Sequence, residues 1–309
     1  MLSVVIPNWN GLRLLPTCLS ALRAQTFRDF ETLVVDNGST DGSREFLARE
    51  FPEARVLALE TNRGFAPAVN EGIRAARGEV VVLLNNDTEA DPQWLAEIAR
   101  ALDENPRAGM VACKLRLFDP RDHLHSAGDF CRVDGIPGNR GVWEPDRGQY
   151  DDARGVFGAC GGAAAYRRAM LDEIGGLDEA LGSYCEDVDL NWRARLAGYE
   201  VAYAPNAIVY HMISATGGGV ISSFFVGRNF IWVIAKNYPS GLWKKYWRKI
   251  LRAQLQITFD ALKSWRGAAA RARLRGQIAG VLGLPCWLAQ RGEVIRRASD
   301  EEIEAVLVK

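Results

Sequence analysis

Four short runs of this 309-residue chain hold the side chains best suited to chemistry. In LLNNDTEADPQWL, Asp87 follows an apolar run and precedes the helix signal of Asp91 and Pro92. A carboxylate delivered to the end of a strand suits a hard divalent cation, which uses one or two carboxylates together with diphosphate oxygens. An Asx-turn that merely ends the strand is the plainer reading. In SYCEDVDLNWRARLAGYE, Glu186, Asp187 and Asp189 open a helix. The helix dipole favours acids in a first turn whether or not they react, and an ionised Asp187 has the form a general base needs before it takes a hydroxyl proton. Asp189 stands four residues before Arg193, a spacing that predicts an ion pair and a structural role. In VVDNGSTDGS, Asp36 ends a strand ahead of Ser39, Thr40 and Asp41, which reads either as a capped turn or as an acceptor for a base or ribose donor. His211 closes an apolar run before MISATGG. Its imidazole is a metal ligand if that run ends beside Asp87, and a surface or core histidine otherwise. His123 and His125 carry no comparable signal.

The elements that must position these groups follow from hydrophobic pattern. Apolar runs predict strands over 3–7, 31–36, 55–60, 79–85 and 109–118, and three- and four-residue spacing (Leu12, Leu15, Leu19 and Leu22 first) predicts helices between them. Strands apolar on both faces and alternating with helices imply a parallel sheet covered on both sides, an α/β domain. Such sheets bind ligands beyond the carboxyl ends of their strands, where this chain has Asn8 to Gly11, Asp36 to Asp41, Asn62 to Gly64 and Asn85 to Asp87. The first strand is followed by PNWNG and not by G-x-G-x-x-G, which removes the main support for a nicotinamide enzyme. Residues 119–158 are dense in Gly, Asp, Pro and Arg and read as a long excursion of hairpins and loops. A helix over 168–174, another from about Glu186 and a strand over 199–211 come next; beyond 216 the pattern is helical.

Hydrophobic residues at 48% and charged residues at 25% exclude a disordered or fibrous chain. Basic and acidic residues balance at 38 each, yet residues 241–309 hold fourteen basic and six acidic ones, so the tail is +8 and the rest −8. In 241–265, Trp243, Tyr246, Trp247, Ile250 and Leu251 recur near helical period among Lys244, Lys245, Arg248, Lys249 and Arg252. That pattern describes either an amphipathic helix on an anionic membrane or a helix packed on the main domain with solvated charges. No nucleic-acid module accompanies it, so nucleic acid is not expected. Six scattered cysteines without C-x-x-C imply a reducing compartment. The N-terminal run has no signal-peptide pattern and no segment approaches eighteen apolar residues, so the expected location is cytoplasmic, peripheral on the inner membrane face where the tail attaches.

Taken together, VVIPNWNG, VVDNGSTDGS, NRGFAPAVNEGI, LLNNDTEADPQWL, GACGGAAAYRRAMLDEIGGLDE, EDVDLNWRARLAGY and YHMISAT resemble, in order, the family 2 glycosyltransferases of rhamnosyltransferase type. The resemblance covers about residues 1–240. It implies a GT-A nucleotide-sugar domain over 1–215, with a mixed, mostly parallel sheet and with 119–158 on the acceptor side, and a basic helical region over 216–309. It implies a nucleotide site of Pro7, Asn8, Asn10, Asp36, Asn62, Arg63, Gly64 and Asn86, and a Mg²⁺ or Mn²⁺ site of Asp87 and His211. Asn85 stands where the family's D-x-D has its first aspartate, which leaves Asp87 most of the metal binding. Asp187 is implied as the base, with Gly161, Gly162, Glu186 and Trp192 toward the acceptor. The implied reaction is inverting transfer of a sugar, rhamnose by family analogy, from a thymidine or uridine diphosphate donor to a glycan or lipid-linked glycan in surface-polysaccharide synthesis. Two rivals are a sugar nucleotidyltransferase, which needs a Gly-rich basic loop where PNWNG stands, and a catalytically silent binding subunit.

Overall fold

A computed structural model of the chain describes residues 1–213 and 219–309. The first half alternates as its pattern requires: β1 (Leu2–Asn8), α1 (Leu15–Arg23), β2 (Phe30–Asn37), α2 (Ser43–Glu50), β3 (Arg55–Leu59), α3 (Phe65–Ala75), β4 (Val80–Leu84), β5 (Thr88–Ala90), α4 (Trp94–Glu104) and β6 (Ala108–Leu117). The excursion contributes β7 (Leu124–Ala127), β8 (Asp129–Cys131) and β9 (Pro137–Asn139). Then come β10 (Ala163–Arg167), α5 (Arg168–Ile174), α6 (Glu186–Leu196) and β11 (Glu200–His211). The C-terminal helices are α7 (Gly219–Asn237), α8 (Ser240–Lys263), α9 (Ala268–Ala289) and α10 (Asp300–Val306).

The main sheet runs β3-β2-β1-β4-β10-β6-β11-β5, with β7 added to β6. The pairs β1–β2, β1–β4, β2–β3 and β6–β11 are parallel. Strand β10 is antiparallel to both β4 and β6, so the sheet is mixed and not wholly parallel as periodicity alone implied. The cause is invisible in the pattern, because AAAYR is buried on both faces like its parallel neighbours. Alternate β1 residues serve opposite faces: Val4 and Ile6 pack with Leu15, Leu19 and Trp94, whereas Val5 packs with Leu33, Val69 and Ile73.

A third core joins Phe157 and Trp192 to Val233, Tyr238, Leu242, Trp287 and Ile303. The C-terminal helices therefore share apolar packing with α6. The 215/216 boundary and residues 214–218 of the loop expected after His211 lie outside the described residues. On α8 the partly buried and buried residues of one face, Tyr246 and Ile250 among them, meet this core, while Trp243, Trp247, Leu251, Leu255 and Phe259 form an i,i+4 row that is 44–58% exposed. Among the described residues, no helix is long and apolar enough to cross a membrane.

Candidate active site

Four sheet strands and one helix start converge on a small patch. Strand β4 ends at Leu84 beside Ala163, the first residue of β10, and Asn85 N–H donates to the Gly162 carbonyl at 3.0 Å. Strand β5 runs antiparallel to the end of β11 with Thr88 opposite His211, which sets His211 next to Asp87. Asp87 Oδ1 lies 3.1 Å from His211 Nε2, and the Met212 N–H donates to the Asp87 carbonyl at 2.9 Å. On the other side of Gly162, the Gly161 N–H donates to Asp187 Oδ2 at 2.8 Å. A Cβ on Gly161 would stand 3.1 Å from Asp187 Oδ2, and one on Gly162 would stand 3.4 Å from the His211 ring. The carboxylate of α6 and the Asp87–His211 pair thus flank one glycine dipeptide, where larger residues would intrude.

The Asp87–His211 pair fits a hard cation. His211 Nδ1 lies 3.0 Å from His125 Nδ1. Burial, with the neighbouring His211 ring, pushes His125 down to about 3, so it is neutral. One of the two facing nitrogens must then donate and the other accept. With His211 donating, its Nε2 keeps the lone pair that a cation beside Asp87 requires. His125 was not singled out from the sequence; its signal, one of two histidines in a loop-rich segment, gives no hint that β7 delivers it behind β11.

Asp187 sits in an acidic, poorly solvated surround. Burial raises its pKa, opposed by the Gly161 and Val188 N–H groups, the latter at 2.8 Å from Oδ1. Asp129, from the excursion, has a carboxylate oxygen within 4.8 Å of those of Asp187 and of the Cys160 sulfur. Burial and then the Asp187 charge push Asp129 up to about 7, against hydrogen bonds from Ser126 Oγ and Asn139 Nδ2. Ionising Asp187 therefore makes Asp129 harder to ionise. Burial and both carboxylates raise the Cys160 thiol. Glu186, 7% exposed, is pushed up to about 8 by burial and by Asp187.

The nucleotide candidates gather at the ends of β1 and β2. Asn8 is opposite Asp36, adjoining Pro7, and Asn8 Oδ1 accepts from Asn86 Nδ2 at 2.8 Å. Asn10 Oδ1 accepts from the Thr40 N–H at 2.8 Å. Asn62 Oδ1 accepts from Asn37 Nδ2 and the Gly64 N–H, whereas the Arg63 guanidinium pairs with Glu71 at 2.8 Å. Asp36 has no exposed surface, and its oxygens accept from Arg44 Nε at 2.6 Å, the Ser39 N–H at 3.1 Å and Asn8 Nδ2 at 3.3 Å. These bonds brace the loop at the end of β2, with two donors on Oδ1 and one on Oδ2. Trp9, passed over in the sequence, is 54% exposed beside these residues and presents a flat face suited to stacking.

Trp192 is a correction. It points into the third core at 1% exposure, with ring centroids 4.8 Å from Phe157 and 5.5 Å from Tyr238, so it cannot touch an acceptor. Asp189 is structural as its spacing suggested, held by Arg193 at 2.7 Å and Lys236 at 3.0 Å.

The model of the family described as Glycosyl transferase family 2 matches residues 3–175. An N-acetylglucosaminyl-diphospho-decaprenol L-rhamnosyltransferase of Mycobacterium tuberculosis is 28% identical over 282 residues, covering 83% of this chain and 90% of that protein. A Sinorhizobium fredii protein designated y4gI is 31% identical over 71% of this chain, which spans 25% of its length. The crystal structure of GalNAc-T7 with UDP, GalNAc and Mn²⁺ superposes with a TM-score of 0.62 at 18% identity, covering 76% of this chain and 48% of that one. That likeness shows the fold, a GT-A architecture.

Proposed function

The chain belongs to glycosyl transferase family 2 and is a glycosyltransferase; from that premise we propose that it moves a sugar, with inversion and with a divalent cation, from a nucleoside diphosphate to a hydroxyl of a lipid-linked glycan. The observation that carries this reading is the Gly161–Gly162 dipeptide, which sets Asp187 on one side and Asp87 with His211 on the other. Asp187 takes the acceptor hydroxyl's proton as that oxygen attacks the anomeric carbon, and the bond to the nucleoside diphosphate breaks on the opposite face. Asp87 and His211 would hold Mg²⁺ or Mn²⁺, which when bound supplies charge to neutralise the departing diphosphate. His125 orients His211 from behind, and Asp129, raised by burial and by Asp187, limits the charge beside the base.

Asn8, Asn10, Asn62, Gly64 and Asn86 frame the nucleotide in this reading, with the backbone of Pro7 and Arg63 beside them. Rhamnose as the sugar and a lipid-diphosphate-linked acceptor are supported by the mycobacterial relative's name; a thymidine or uridine diphosphate as the donor and a role in cell-surface polysaccharide synthesis belong to the same proposal. The exposed α8 row, with the exposed Lys244, Arg248 and Arg252 one residue on at each step, supports docking on an anionic membrane surface. A panel of nucleotide sugars with Mn²⁺ in a thermal-shift assay tests the donor class, since a ligand at a hundredfold its Kd stabilises by about 2.7 kcal/mol. The preferred donor should then label a polyprenyl-diphosphate glycan; no stabilisation by any nucleotide sugar and no label transfer would refute the reading.

A further inference from the structure

Between α7, α8 and α9 lies a cleft of ≈ 440 Å³ whose walls include Ile136, Val226, Phe230, Ile257 and Ala261. Helix α8, which supplies Ile257, Asp260 and Ala261 to the lining, is also the helix that carries the exposed apolar row. Asp260 stands on the lining, occupied by a hydrogen bond from Gln256 Nε2 at 2.9 Å. One wall residue is a cation, Arg273 of α9.

Arg273 acts with Arg228 of α7. Both guanidiniums lie within electrostatic reach of the Cys185 thiol, the residue before Glu186 and two before Asp187. Arg228 donates to the Leu181 carbonyl at 2.7 Å and stacks 4.1 Å over the Trp232 ring. Neither arginine meets a carboxylate among the described residues, although burial penalises both charges. Two half-buried cations without counter-charges are costly unless an anion completes them. Both helices are fixed in place for this: a Cβ on Gly276 would stand 2.1 Å from the Phe224 carbonyl oxygen, so α7 and α9 touch backbone to backbone.

We infer that this cleft is the acceptor site, taking a long-chain lipid diphosphate with its apolar chain between α7, α8 and α9 and its diphosphate on Arg273 and Arg228. The inference rests on the transferase reading and extends it by naming where the acceptor's carrier sits. A diphosphate at the two arginines is flanked by Cys185, so the sugar it bears extends toward Asp187. The chain would leave along α8, the helix whose exposed row would face lipid. The chemistry selects for both ends of the ligand: a free diphosphate has nothing for the apolar walls, and a lipid alcohol leaves the arginines uncompensated.

The test is binding of farnesyl diphosphate to the full-length chain, measured by calorimetry below its critical micelle concentration. Chelator is present throughout, so that diphosphate does not bind through a cation at Asp87 and His211. Farnesyl diphosphate should bind at least tenfold tighter than either inorganic diphosphate or farnesol. Arg273→Gln should weaken it by about tenfold or more, the scale of one lost charged hydrogen bond, while Arg275→Gln, an exposed arginine on the same helix, should leave it unchanged. Ala269→Trp, which narrows the half-exposed cleft wall, should weaken farnesyl diphosphate but not inorganic diphosphate. Wild-type binding no tighter than inorganic diphosphate, or Arg273→Gln or Ala269→Trp binding farnesyl diphosphate as the wild type does, would overturn the inference. Nucleotide-sugar turnover by the wild-type chain is scored separately: its absence sinks the transferase reading, whereas the cleft is judged by farnesyl diphosphate alone.

Discussion

Replacing Asp187 by Asn keeps the side chain's size and removes its charge, which isolates the base. In the native site Oδ2 accepts from the Gly161 N–H and Oδ1 from the Val188 N–H, each at 2.8 Å. An amide has a single acceptor oxygen, so one of those N–H groups would face an NH₂. An unmet buried donor costs about 1–3 kcal/mol. Against that loss, Asp129 and Glu186 both feel Asp187 as a like charge and are relieved by the substitution. The Asp129 and Asp187 oxygens are within 4.8 Å. Were both ionised at that separation they would repel by roughly 3.5 kcal/mol at an effective dielectric of 20, and by under about 1 kcal/mol in bulk water, which is the upper bound on the relief. The opposing effects are of one size, so Asp187→Asn should fold and retain donor affinity within about threefold. Without its general base, turnover should fall by roughly 10²–10⁴. Initial rates of labelled-sugar transfer, with donor Kd measured in parallel by calorimetry, provide the assay. A variant that keeps more than a tenth of wild-type turnover would refute the assignment; one that also loses donor binding would make Asp187 an architectural residue.

Three further outcomes are expected. Chelation should abolish transfer and Mn²⁺ or Mg²⁺ restore it, and His125→Ala should raise the Mn²⁺ concentration for half-maximal rate by about 10–100-fold, the usual effect of losing a ligand's orienting partner; full activity in chelator would remove the cation from Asp87 and His211. Glu186 is held protonated up to about 8 in the folded chain, above its unfolded value, so its contribution to stability is complete at low pH and fades as pH climbs toward 8. Comparing urea midpoints at pH 5.5 and 7.5, the wild type should lose about 1.4 kcal/mol per pH unit relative to Glu186→Gln, and parallel curves would contradict the buried, neutral carboxyl. Replacing Lys244, Arg248, Lys249 and Arg252 by Gln should weaken sedimentation with anionic vesicles by about three decades at low salt, at about 1 kcal/mol per basic residue; unchanged binding would leave only the apolar row to explain attachment.

Much of this molecule could be read before its coordinates. Strands β1 to β4 and β6, helix α5 and the start of α6 lie where period and caps predict them, because each depends on residues within a few positions of one another. The polar runs at Asn8, Asp36 and Asp87 fall at the carboxyl ends of β1, β2 and β4 for the same local reason, and Asp189 meets Arg193 because four residues make one helical turn. What decides function is of another kind. That His211 reaches Asp87 depends on β5 pairing with β11, and that His125 stands behind it depends on β7 adding to β6 from inside a loop-rich segment. Asp129 meets Asp187 across 58 residues of chain, Trp192 turns inward because α7 covers it, and Arg44 reaches back from α2 to Asp36 Oδ1. No local pattern encodes these pairings: propensity and periodicity are set by neighbours along the chain, whereas burial, coupled ionisation and uncompensated charge arise only when strand order and helix packing bring distant residues into one volume.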